Sequence, residues 1–187
     1  MAEKCKLGLI FGGASSEYEV SLLSVSSVLA NIDRTRYDIY RIGITRDGRM
    51  FYYTGEDGRI AENKWQGEGC IPCVLSPDRS HHGFVLLKEQ PEIVRLDCVF
   101  PVLHGKNGED GTIQGLLTMA GIPFVGCGAL ASAACMDKAT THTMLDKAGV
   151  LGAKWRAVTA YAYAKDQTAF LDEVEHALGF PCFVKPA

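Results

Sequence analysis

Twelve residues, His104-Gly-Lys-Asn-Gly-Glu-Asp-Gly-Thr-Ile-Gln-Gly115, constrain this chain more than any other stretch. They follow an apolar run, residues 94–103, that reads as a buried strand, and they lead into a helical pattern over about residues 112–120. The four glycines of the segment let the backbone bend tightly and approach a ligand. Among them stand an imidazole and two adjacent carboxylates, Glu109 and Asp110. A strand, a Gly-rich turn with titratable groups and a helix are how an α/β sheet places chemistry at the carboxyl ends of its strands.

The surrounding pattern agrees. Residues 6–12 form a short apolar strand that ends in Gly12-Gly13. Ser16 and Glu19 have the capping-box spacing, ahead of a helical face of Val20, Leu23, Val28 and Ile32. Strands are predicted over 37–44 and 50–53 with a turn at Asp47-Gly48, and shorter ones over 73–75, 84–87 and 123–126. Residues 54–72 are polar, Gly-rich and aperiodic, and read as loop. Together these elements predict an α/β fold whose first domain, residues 1–126, is a mostly parallel, doubly wound, Rossmann-like sheet. The second, residues 127–187, has helices over 129–135, 137–148 and 166–178 and strands over 154–159 and 181–184. A last strand so close to the end, with half a sheet before it, leads us to expect an incomplete domain.

Composition narrows the function. With 187 residues, 47% apolar and 22% charged, the chain is long enough for one domain and part of another. A net charge of −3 argues against a broad nucleic-acid footprint. The apolar run at 7–11 is too short for a signal-peptide core or a membrane span, so a cytoplasmic protein without a membrane partner is expected. The seven cysteines are odd in number and lie mostly in apolar runs, as reduced thiols would. Cys70 and Cys73, with His81 and His82 not far behind, lack the second well-spaced ligand pair of a structural zinc site and are assigned to packing.

Three places can carry chemistry. Glu17 follows the Gly12-Gly13 turn, where its carboxylate either favours the helix dipole or binds a substrate ammonium. The spacing is not that of a dinucleotide fingerprint, so no NAD is predicted. His104 ends an apolar strand where ligands gather, although a satisfied buried histidine would look the same. We expect Glu17 and His104 to face one cleft, because the ends of two strands converge at a switch point. Lys138 opens a helix, where a cation opposes the dipole, and Lys185 ends the apolar stretch Pro-Cys-Phe-Val. Each either snorkels to solvent or shares an anion, for which a nucleoside triphosphate is the obvious candidate.

The segments Gly12-Gly-x-Ser-x-Glu-x-Glu-Val-Ser21, 104–115, Cys135-Met-Asp-Lys138 and Pro181-Cys-Phe-Val-Lys-Pro-Ala187 resemble the D-alanine–D-alanine ligases, in that family's order. Ile42-Gly-Ile-Thr-Arg-Asp-Gly48 and Val74-Leu-Ser-Pro-Asp78 resemble the branch that holds the vancomycin-resistance ligases. The resemblance implies an ATP-grasp enzyme of peptidoglycan synthesis, here a pre-ATP-grasp domain and part of an ATP-grasp subdomain. It implies that Glu17, Ser21 and His104 serve the first D-alanine, Glu17 and His104 as catalytic residues, and that Lys138 and Lys185 contact ATP phosphates. It also implies Mg2+ bound by acidic residues that this chain lacks, so that the chain is expected to be an inactive part of the ligase. Its implied partners are D-alanine, ATP and a second copy in a homodimer. Where the family places a proline soon after 148–150, this sequence has Leu151-Gly-Ala153. A ligase that uses D-lactate or D-serine as acceptor, and a non-catalytic binding or dimerisation module, are the alternatives.

Overall fold

Strand β1 (Cys5–Gly12) is buried without alternation from Leu7 onward, as a strand covered on both faces must be. On one face, Leu7, Leu9 and Phe11 meet Tyr18, Leu22, Val25 and Leu29 of helix α1 (Tyr18–Asn31). On the other, Ile10 shares a cluster with Leu103 and with Ile113, Leu117 and Ala120 of helix α3 (Thr112–Ala120). These positions come from a computed structural model that describes residues 3–186, in which the chain divides into two compact units, Met1–Ala133 and Ala134–Ala187.

The first unit adds β2 (Tyr37–Ile44), β3 (Met50–Tyr53), β4 (Cys70–Leu75), β5 (Gly83–Leu86), β6 (Glu92–Arg95) and β7 (Cys98–Pro101). The sheet order is β6-β5-β4-β3-β2-β1-β7. β1 runs parallel to both β2 and β7, and Val99 makes one more parallel bridge, to Phe124, where the sequence predicts a strand. The pairings from β2 through β6 are antiparallel. The α/β class and the helices on both faces are as expected; the parallel part is smaller. The β2–β3, β4–β5 and β5–β6 links are too short for crossover helices, so those strands pair as neighbours in sequence.

The expected strand over 94–103 is two strands. Asp97 parts them: its carboxylate accepts from Lys6 N at 2.7 Å, and its amide donates to Lys6 O at 2.9 Å. β6 and β7 thus sit at opposite edges of the sheet with only Leu96 and Asp97 between them, which requires the antiparallel arm to curl over. β4 is the bend, pairing with β3 through residues 70–72 and with β5 through 73–75. The curl brings Cys73, Leu75, Phe84 and Leu86 into one cluster with Ile10, Ile42 and Val99.

Residues 54–72 are not a plain loop. They hold helix α2 (Gly58–Ala61), the start of β4 and the fully buried Trp65. Asp57 fastens the segment to Arg34 and Arg41. Trp65 lies edge-on to Phe11 at 5.0 Å between ring centroids, and its Nε1 donates to the Tyr18 hydroxyl at 2.9 Å. Gly43 makes room for it: a Cβ there would stand 2.5 Å from the indole ring. The Ser16–Glu19 capping box does not form, because α1 begins one residue after Glu17 and has no side-chain cap. Ser15 instead accepts from Glu17 N at 3.1 Å, and Glu19 pairs with Arg46.

Helix α4 (Ala129–Met136) crosses the division between the units. The second unit holds α5 (Lys138–Lys147), α6 (Ala160–Lys165) and α7 (Gln167–Leu178), capped by Asp137, Thr159 and Asp166. Residues 154–159 and 181–184 are not strands, since no ladder partner lies beside them among the described residues. Val158, Phe183 and Val184 stay in solvent, Phe183 at 96% exposure, while Trp155 is half-buried and stacks on His142.

Trp65→Ala is expected to destabilise the first unit by about 3–5 kcal/mol, the cost of emptying a large aromatic site. Leu151→Ala, at a fully exposed position, should change stability by no more than about 0.5 kcal/mol. Urea denaturation of the two variants checks the contrast.

Candidate active site

β1 and β7 leave the sheet side by side, and their two loops meet. After Ile10, whose carbonyl takes Val102 N at 2.8 Å, the ladder is continued by a side chain. The Ser21 hydroxyl accepts from Gly12 N at 2.8 Å and donates to Val102 O. Ser21 is fully buried, so its hydroxyl serves the backbone of both loops.

Beyond this tie, Glu17 and His104 come to adjacent loops. Glu17 is exposed, and its carboxylate lies over Gly105: a Cβ on Gly105 would stand 2.4 Å from Glu17 Oε2. Gly105 also has φ +67°, so glycine is required there twice over. The His104 ring has a polar neighbour at both ends. Its Nε2 is 3.0 Å from the Ser24 hydroxyl, and its Nδ1 is 3.7 Å from Glu109 Oε1. The other Glu109 oxygen accepts from Gly105 N at 2.9 Å. A cleft of about 210 Å³ opens beside these loops, walled by Gly13, Met50, Leu103, His104, Asn107 and Leu116 among others. His104 lines it, and the Glu17 carboxylate lies over the neighbouring Gly105. Arg46 stands over the Tyr18 ring at 4.5 Å, beside Glu17 in the chain.

Asp110 is structural, as its place before a helix suggests. Its carboxylate accepts from Asn107 N at 2.8 Å and Thr112 N at 3.0 Å. Partial burial pushes its pKa up, but the hydrogen bonds from Asn107 and Thr112 outweigh this and hold it below the ordinary carboxylate range. Gln114, 7% exposed, donates to Gly108 O at 2.8 Å and braces the same turn.

Lys138 and Lys185 belong to the second unit, and both are exposed. Lys138 is the first residue of α5, as predicted, whereas Lys185 follows a segment without regular structure rather than a strand. Among the described residues neither has an ion-pair partner. Burial pushes the Cys73 thiol up to about 12 and raises Cys70 as well, so neither is a thiolate near neutral pH. His81 Nδ1 lies 2.8 Å from Ser76 Oγ, and His82 Nδ1 lies 2.8 Å from Leu96 O. Ser24 is the residue that sequence reasoning missed. Its signal was a polar side chain one helical turn after Ser21, on the face that meets the sheet.

The family model for the D-ala D-ala ligase N-terminus matches residues 6–127. The chain belongs to the D-alanine–D-alanine ligase family. It is 43% identical to the D-alanine–D-alanine ligase of Thermoanaerobacter sp. (strain X514), over 99% of this chain and 51% of that protein. The crystal structure of VanG D-Ala:D-Ser ligase from Enterococcus faecalis superposes with a TM-score of 0.84 at 45% identity, covering 98% of this chain and 52% of that one. The D-alanine–D-alanine ligase of Coxiella burnetii follows at 0.77 and 27%, covering 91% and 50%. The chain thus spans about half the length of the ligases it matches. Both site loops lie within the stretch that matches the ligase N-terminus.

The Asp110 turn gives a pH dependence. Because the folded pKa is depressed, its stabilisation is complete above the unfolded value of about 3.9 and is lost as pH falls through the lower folded value. The Asn107 and Thr112 amide protons should titrate together in NMR spectra, with a midpoint below about 3.9. Asp110→Asn should abolish the titration, and a midpoint at or above the ordinary value would contradict the assignment.

Proposed function

We propose that this region forms the first-substrate half of an ATP-dependent D-alanine–D-alanine ligase, acting in the cytoplasm in peptidoglycan precursor synthesis. One observation carries the reading: the Glu17 carboxylate lies over Gly105, next to His104, at the open end of the β1–β7 pair. A carboxylate held there suits the ammonium of a small amino acid, and the imidazole beside it suits its polar end. Ser21 contributes as a positioning residue, through the backbone at Gly12 and Val102.

In the proposed reaction the first D-alanine carboxylate takes the γ-phosphoryl group of ATP, giving an acyl phosphate and ADP. The amine of the second D-alanine attacks the acyl carbon, loses a proton, and inorganic phosphate leaves. Lys138 and Lys185 would meet ATP phosphates, because exposed ammonium groups without a carboxylate partner are free to offset phosphate charge. When bound, magnesium would supply positive charge that offsets the charge developing on the transferred phosphoryl group. No three metal-binding side chains converge among the described residues, so we assign the ion to ligands in the remaining length of such a ligase. A homodimer is the proposed assembly.

D-Serine is the second reading for the acceptor, favoured by the 45% identity to VanG. Assay of a protein of the relatives' full length with D-alanine, D-serine and D-lactate decides between them.

In that protein, Glu17→Gln should raise the D-alanine KM about ten- to a hundredfold, the worth of a hydrogen bond to a charged group. Lys185→Ala should lower ATP turnover by about a hundredfold or more while leaving the fold intact. Wild-type kinetics in either would remove that role. The 187-residue chain alone should release no phosphate from ATP with saturating D-alanine and magnesium; turnover above about 1 per second would show that it needs nothing further.

A further inference from the structure

We propose that Ser24 is a positioning residue for His104, fixing the imidazole at Nε2 while Glu109 fixes it at Nδ1. A serine inside a helix commonly returns its hydroxyl to the carbonyl four residues back, as Ser26 does to Leu22 O at 2.7 Å. Ser24 does not. Its hydroxyl reaches the ring of a residue 80 positions away, at 3.0 Å. Ser21, three residues earlier and therefore on the same face of α1, likewise reaches across to Val102 O. Helix α1 thus grips the end of β7 at two points, the backbone at residue 102 and the side chain at residue 104. Helix stability does not call for a serine here, since alanine is the better helix former.

The chemistry of the grip is specific. A carboxylate 3.7 Å from Nδ1 favours the ring proton on that nitrogen. Nε2 is then bare and accepts the Ser24 hydroxyl, which has no other hydrogen-bond partner among the described residues. Glu109 can do this without leaving its own anchor, because its second oxygen holds Gly105 N at 2.9 Å. The result is an imidazole biased to one tautomer and one orientation. Ser24 would act on the first substrate only through His104, and this functional half of the inference rests on the ligase reading; the state of the ring does not.

The test reads the ring first. With 15N-labelled histidine at about pH 8.5, where an ordinary imidazole is neutral, His104 of the wild-type chain should show an Nδ1–H pattern. Ser24→Ala should move it toward a mixture of tautomers, Ser24→Thr should restore it, and the thermal midpoint of Ser24→Ala should not fall. Glu109→Gln keeps an acceptor for Gly105 N and removes the charge at Nδ1, so it should move the ring toward the Nε2–H form. Unchanged ring signals in Ser24→Ala, or in Glu109→Gln if the alanine variant does not fold, would overturn the proposal. In a protein of the relatives' full length, Ser24→Ala should raise the D-alanine KM about three- to tenfold, with rescue by threonine. A ring that responds while KM and kcat stay at wild-type values would overturn the positioning role. A ring that responds in a wild-type protein that ligates no D-amino acid would sink the ligase reading and leave the hold of Ser24 on His104 standing.

Discussion

The Ser21 hydroxyl is the tie on which the site depends. Two parallel strands splay once their ladder ends, and each carries a loop away from the sheet. Here the last ladder bond, Val102 N to Ile10 O, is followed by a buried hydroxyl that takes Gly12 N and gives to Val102 O. On the other side of β1, Gly13 N donates to Ile44 O at 2.8 Å. Gly12 lies between these two attachments with φ +86°, where a Cβ would stand 2.1 Å from Ile44 O. The loop that bears Glu17 therefore departs along one fixed path, and so does the loop that bears His104. A buried hydroxyl with neither bond would cost more than it contributes; with both, it is a rigid link.

How much of the fold could be read from the residues depends on what kind of signal each element leaves. The helix over 112–120 was legible because a Gly-rich turn and an apolar face bracket it, and the structure places α3 over the same residues. The break at Leu96-Asp97 was not legible. Both halves of the run are apolar, and an apolar run does not say which edge of a sheet each half will join. Trp65 was hidden for the opposite reason. It stands alone in a polar stretch, and what draws it inward is a gap over Gly43 made by strands far away in sequence.

The second unit shows the same divide between local and borrowed order. A helix contains its own hydrogen bonds and needs only a cap, and Asp137 and Asp166 supply caps, accepting from Thr140 N at 2.6 Å and Ala169 N at 3.0 Å. A strand borrows its bonds from a neighbour. Residues 154–159 and 181–184 have strand-like composition but no ladder partner among the described residues, and form no regular structure. Composition was a sound guide to what these segments can become and a poor one to what they are without a partner.

At the site, the identities of Glu17 and His104 were legible, but their relation was not. Spacing put each at the end of a strand, and the topology puts those ends side by side, since β1 pairs with β7. Gly105 decides where the Glu17 carboxylate can rest, because its missing side chain leaves room for that carboxylate over the backbone next to the imidazole. A methyl group there would occupy the place of a carboxylate oxygen and turn the Glu17 carboxylate away from the backbone next to the imidazole. The glycines of the segment 104–115 are therefore not interchangeable flexibility. Gly105 sets how near an acid and a base can stand, while Asp110 and Gln114 hold the turn behind it so that the spacing does not drift.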